Sequence, residues 1–194
     1  SLGVQNIFYE EKGAFTGEIS AKMAKNSGAG FSIIGHSERR AQGESDEAIA
    51  KKVLSARIAK LTPIVCVGEG ERDSHGAYLD FLKQQILSAT SLIGKSGTRD
   101  IVVAYEPLWA IGKEAKDAMN SHDIHQTALF IRKVLIDVYG NSARSVRVLY
   151  GGSIAPENTA EIVKNGEVDG LLVGHQSLNP ENFNKILLAI SKIK

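Results

Sequence analysis

The chain has 194 residues, 43% of them hydrophobic and 23% charged, the profile of a soluble globular protein long enough to bury a sizeable core. Its 23 basic and 22 acidic residues nearly cancel to a formal charge of +1, and no long run of one sign appears. That argues against nucleic acid or a membrane surface as partner, while leaving room for a local anion site.

In chain order, the first apolar run is VQNIF at 4–8, reached from Ser1 with no polar leader, as if the chain began inside a fold. No signal peptide and no apolar stretch of membrane-spanning length is present. GAFTGE (13–18) and a weak helical pattern near 18–27 come next, then the apolar FSIIG at 31–35, which ends on His36. Residues 45–60 predict a helix with Ser45 as N-cap and Ile49, Val53, Ala56 and Ala59 on one face. The run PIVCVG (63–68) ends at GEGER and holds Cys66. This single cysteine can form no internal disulfide, which fits a reducing compartment, and its apolar setting predicts a buried, inert thiol. Residues 77–93 repeat the helical stripe through Leu79, Leu82, Ile86 and Leu87. The run IVVAY (101–105) leads into EPLWAIG, and 121–139 predicts a helix through Ile124, Ala128, Ile131, Leu135 and Val138, stopped by Gly140. VRVLYGG (146–152), a helix near 157–165, GLLVG (170–174) and a helix near 180–192 complete the chain.

Six strand-then-helix units with no linker predict one α/β domain over 1–194 with parallel strands. The sheet is either doubly wound or a (β/α) barrel, and in both the ligand sits beyond the carboxyl ends of the strands. His36 and Glu106 each follow a buried run directly and so face one rim, where a carboxylate can move a proton while an imidazole polarises an adjacent oxygen. The alternative is a pair that only caps strands. Gly151-Gly152-Ser153 and Gly174 leave the last two runs and suit close backbone approach to an anion, or simple turns. Pro107 to Gly112, with Trp109, is an apolar loop that either buries itself or closes over the base as a lid.

GAFTGE (13–18), GHSERR (35–40), GESDE (43–47), AYEPLWAIG (104–112) and YGGSI (150–154), in this order, make the whole chain resemble triosephosphate isomerase. The resemblance implies that Glu106 is the base, that His36 is a neutral electrophile and that Glu38 stands beside the site. It implies a lid of Pro107, Trp109 and Ile111, extending to about Ala115 and fastened by Tyr150. A phosphate grip of Gly112, Ser153 and Gly174 is implied too, as is a subunit contact through Phe15 and Thr16 in a homo-oligomer. A cytoplasmic enzyme of glycolysis and gluconeogenesis, acting on a triose phosphate without metal or organic cofactor, follows from the same resemblance. The family also serves as a standard illustration of tuned proton-transfer groups.

The departures are as specific. The family's barrel has eight units, and this chain begins where the third strand would stand. The expectation is a TIM-barrel-derived α/β fold with six units, incomplete or rearranged, with two open strand edges that favour association. The Asn and Lys of the family's first strand are absent, and losing such a preorganised charge costs roughly a hundred- to a thousandfold in rate. The lid reads Lys113-Glu114-Ala115 instead of Thr-Gly-Lys and is about one residue shorter, with Glu114 a negative charge close to the phosphate grip. His175 replaces a paired glycine in the last loop, although a protonated imidazole can itself meet a phosphate. The chain is therefore read as an isomerase of impaired or absent turnover, the alternative being an inactive scaffold or binding protein that keeps the fold.

Overall fold

The computed structural model describes residues 1–113 and 118–193. Six strands form one parallel sheet in strictly sequential order: β1 (Gly3–Val4), β2 (Phe31–Ile34), β3 (Thr62–Val67), β4 (Val102–Tyr105), β5 (Arg147–Tyr150) and β6 (Gly170–Leu171). An order without reversal has no switch point of the doubly wound kind, so the sheet curls as an open barrel wall of six units. Among the described residues β1 pairs only with β2, and β6 only with β5, so each is an edge.

The central strands are the apolar ones, and all four residues of β4 are buried, as expected for a parallel strand covered on both faces. The edges are shorter. The strand expected over 4–8 is realised only as Gly3–Val4, with Phe8 making an isolated bridge to Ser20. The cause is local: the Asn6 side chain turns away to accept from the buried Lys52 ammonium at 2.8 Å, and Ile7 drops into the core at 1% exposure.

The main helices are α1 (Ala21–Asn26), α3 (Asp46–Ile58), α4 (Ala77–Thr90), α6 (Ser121–Tyr139), α7 (Pro156–Asn165) and α8 (Pro180–Ser191). Two short ones, α2 (Ser37–Ala41) and α5 (Gly94–Gly97), carry too few residues to show a periodic stripe. Ser45 caps α3 as expected, its hydroxyl accepting from the Ala48 N–H at 3.2 Å, and Ile49, Val53 and Ala56 are fully buried. In α6 the stripe Ile124, Ala128, Ile131, Leu135 is buried throughout. Each of the Ile and Leu side chains contributes roughly 1.5–3 kcal/mol. Val138 does not belong to that stripe; it is exposed, and Tyr139 takes the inward place, donating to Thr90 Oγ1 at 2.7 Å. Gly140, at φ +68°, stops the helix there.

Candidate active site

At the end of β2, Gly35 adopts φ +73°, a left-handed conformation that glycine tolerates, and turns the chain into α2. Arg40 holds this corner, donating through Nε to the Gly35 carbonyl at 2.8 Å and pairing with Asp46 at 2.7 Å. His36 is the N-cap of α2, and its Nδ1 accepts from the Glu38 N–H at 3.3 Å. An imidazole that accepts at Nδ1 carries its proton on Nε2. That nitrogen lies 3.2 Å from Glu106 Oε1, so a neutral His36 donates to the carboxylate.

Glu106 is placed by continuation of the sheet beyond β4. Its N–H donates to the Val67 carbonyl at 2.8 Å, and Gly151 N–H donates to the Tyr105 carbonyl at 2.8 Å. The approach to β3 is so close that a Cβ on Gly68 would stand 1.8 Å from the Glu106 carbonyl oxygen. Glu106 is 2% exposed, and its second carboxylate oxygen accepts from the Ser37 N–H at 3.1 Å. Burial pushes its carboxyl above the ordinary glutamate range, opposed by His36, the Ser37 N–H and the Cys66 thiol. The Cys66 thiol is fully buried and itself pushed well up by burial, so it is inert as a nucleophile.

His36 and Glu106 open onto one cavity of about 840 Å³ that is also lined by Gly112, Ser153, Gly174 and His175. The structure thus brings His36 and Glu106 to the same cavity as Gly112, Ser153 and Gly174, the implied phosphate grip, and His175. Gly112 and Gly174 face open space, with no atom within 4 Å of where a Cβ would stand. Ser153 ties the segment Ala110 to Lys113 to the loop after β5: its hydroxyl accepts from the Lys113 N–H at 2.9 Å and donates to the Ala110 carbonyl at 2.8 Å. Ile111 lines the cavity as well. Glu114 and Ala115 lie outside the described residues.

Other implied residues take peripheral places. Glu38 lines the rim but is 83% exposed, its carboxylate 4.0 Å from His36 Nδ1. Tyr150 is fully buried, and its hydroxyl has no hydrogen-bond partner among the described residues. Gly152 packs on it, since a Cβ there would stand 2.3 Å from that hydroxyl. Phe15 is exposed and packs on Phe8, ring centroids 4.6 Å apart, and Thr16 beside it is exposed too.

Sequence reasoning missed the support beneath Pro107 and Trp109. Glu69, 1% exposed, accepts through one oxygen from Trp109 Nε1 at 3.0 Å, the Tyr105 hydroxyl at 2.7 Å and Arg72 Nε at 3.1 Å. The Arg72 guanidinium stacks between Tyr78 and Trp109 and donates to Thr127 Oγ1 at 2.7 Å. GEGER marked only a strand end in the sequence; nothing local links its Glu and Arg to a tryptophan some forty positions on. Ser37 was missed too, because its contribution is a backbone N–H. Among the described residues no cluster of three His, Cys, Asp or Glu is placed to hold a metal ion, and no helix is long and apolar enough to cross a membrane.

A sequential parallel sheet of β/α units with its candidate site at the carboxyl rim is a protein of the (β/α)-barrel class. The family model for triosephosphate isomerase matches residues 1–190. A triosephosphate isomerase of Moorella thermoacetica is 44% identical over 190 residues, which is 96% of this chain and 75% of that protein. One from Dehalococcoides mccartyi is 45% identical over 188 residues, 95% of this chain and 72% of the relative. The crystal structure of triosephosphate isomerase from Bartonella henselae superposes with a TM-score of 0.84 at 36% identity, covering 97% of this chain and 76% of that one. The chain belongs to the triosephosphate isomerase family, and it spans about three quarters of the length of these relatives.

Proposed function

We propose that the chain interconverts dihydroxyacetone phosphate and glyceraldehyde 3-phosphate, with Glu106 as base and His36 as electrophile. Glu106 takes a proton from the carbon beside the substrate carbonyl while the His36 Nε2–H bonds to the oxygen on which negative charge develops. His36 gives its Nε2 proton to that oxygen and recovers one from the neighbouring hydroxyl, while the same carboxyl returns its proton to the neighbouring carbon, so no atom is gained or lost. A carboxylate whose affinity for protons is raised by burial is the stronger base, and a neutral imidazole donates without neutralising it. The phosphate falls to Gly112, Ser153, Gly174 and His175 at the other end of the cavity. Pro107, Trp109 and Ile111 form the lid, and the buried Tyr150 hydroxyl is the group it fastens to. Glu38 tunes the rim. The observation that carries this reading is the 3.2 Å contact between His36 Nε2 and Glu106 at the wall of the cavity that Gly112, Ser153, Gly174 and His175 also line.

These 194 residues by themselves turn over slowly, because the wall among the described residues is open between β1 and β6 and water enters where a closed site excludes it. The same edges, with Phe15 and Thr16, favour association into homo-oligomers, which light scattering after size exclusion tests; a monomer at every concentration contradicts that part. The catalytic reading is tested by a coupled assay of the chain alone and with a polypeptide carrying the first two units of a full-length relative. Activity that rises on addition and is lost in Glu106→Asp and His36→Gln supports it. Activity unchanged in both variants refutes it, and no activity in any mixture favours a scaffold.

A further inference from the structure

The last loop carries a side chain where its geometry leaves open space. Gly174 precedes the 3-10 turn His175–Leu178, and a Cβ added at Gly174 would touch nothing within 4 Å. His175 is exposed, lines the same cavity as His36 and Glu106, and follows this uncrowded backbone. We propose that His175 makes the cavity a dianion site whose affinity is set by pH, a grip that closes on a phosphate or sulfate group when the imidazole is charged. This rests on the phosphate reading above and adds to it a control by protonation.

The charges around this position allow that control to show. Lys113, next to Gly112, and Arg39 from α2 bring positive charge to the same cavity. Glu38 lines the rim from α2, and Glu181 stands in the first turn of α8, which packs against the His175 turn; both bring negative charge. The fixed charges therefore leave a modest background. His36 is held on both nitrogens, by the Glu38 N–H and by Glu106, whereas His175 opens to the cavity and to solvent. Gaining a charge on His175 adds a cation at the cavity wall and turns the accepting ring nitrogen into a second donor, both of which favour an oxyanion.

Inorganic sulfate is the probe, because its own charge is constant across the range, unlike that of phosphate. Its binding to the full 194-residue chain is measured by calorimetry at about pH 5.5 and about pH 8, on either side of an ordinary histidine. The expected result is affinity roughly tenfold higher at the lower pH, falling to about two- to threefold in both His175→Gln and His175→Gly. The residual dependence belongs to His36 and Glu106. Equal pH dependence in the wild type and both variants overturns the proposal while leaving the phosphate reading intact. Absence of sulfate binding at both pH values overturns the two together.

Discussion

The two ends of the cavity are built differently. At the base end, over β2, β3 and β4, every group is held from several sides: His36 through both nitrogens, Glu106 through both oxygens, and the backbone by hydrogen bonds that extend the sheet beyond its strands. At the anion end, over β5 and the edge strand β6, Gly112 and Gly174 face open space and His175 is exposed. A strand with two neighbours fixes the residues at its carboxyl end, and an edge strand of two residues leaves its loop less constrained. Proton transfer needs the first kind of precision. Anion binding by long-range charge tolerates the second.

The largest expected effect breaks the base end alone. Glu106→Gln should reduce triose phosphate turnover by about 10²- to 10⁴-fold, measured in the coupled assay, while sulfate binding at the other end persists. If both are lost together, the two ends are not separable. Next is the support under Trp109. Glu69→Ala leaves Arg72 and Tyr105 without their shared partner and should cost about 3 kcal/mol in denaturant unfolding. Trp109 is the single tryptophan, so its emission should shift to the red as it loses Glu69 and gains water. Unchanged emission would contradict the contact.

The same contrast holds for packing. Ile131→Ala in α6, fully buried against the central strands, should cost about 3 kcal/mol. Leu187→Ala in α8, 51% exposed at the β6 edge, should stay within about 0.5 kcal/mol. A comparable loss at Leu187 would show that this edge is covered by another polypeptide. The last effect is electrostatic. Because the folded Glu106 carboxyl titrates above its unfolded counterpart, the folded state holds the extra proton between the two values, and stability falls as pH rises through that window. Glu106→Gln lacks this slope, so its stability relative to the wild type should increase as pH rises above the ordinary carboxylate range. Parallel pH profiles would mean that burial does not raise Glu106.

Much of this was legible in the sequence because it is periodic. The stripes through Ile49, Val53, Ala56 and through Ile124, Ala128, Ile131, Leu135 are local patterns, and the cap at Ser45 and the stop at Gly140 are single-residue signals. His36 and Glu106 were legible as polar residues closing apolar runs. What escaped depends on which strands become neighbours. VQNIF has the composition of a strand, yet its pairing partner lies only on one side, and Lys52 draws Asn6 out of line. Glu69 meets Tyr105 and Trp109 only because β3 and β4 are adjacent and in register. The Ser37 N–H has no side-chain signature at all.

The central claim is that Glu106 carries a proton between two carbons of a triose phosphate. It is tested most directly by incubating the chain with dihydroxyacetone phosphate in deuterated water and following deuterium at the carbon that bears the hydroxyl. The account predicts incorporation at that carbon, even where net turnover is slow, and its loss in Glu106→Gln. Incorporation no faster than in buffer, or equal in Glu106→Gln, would contradict it.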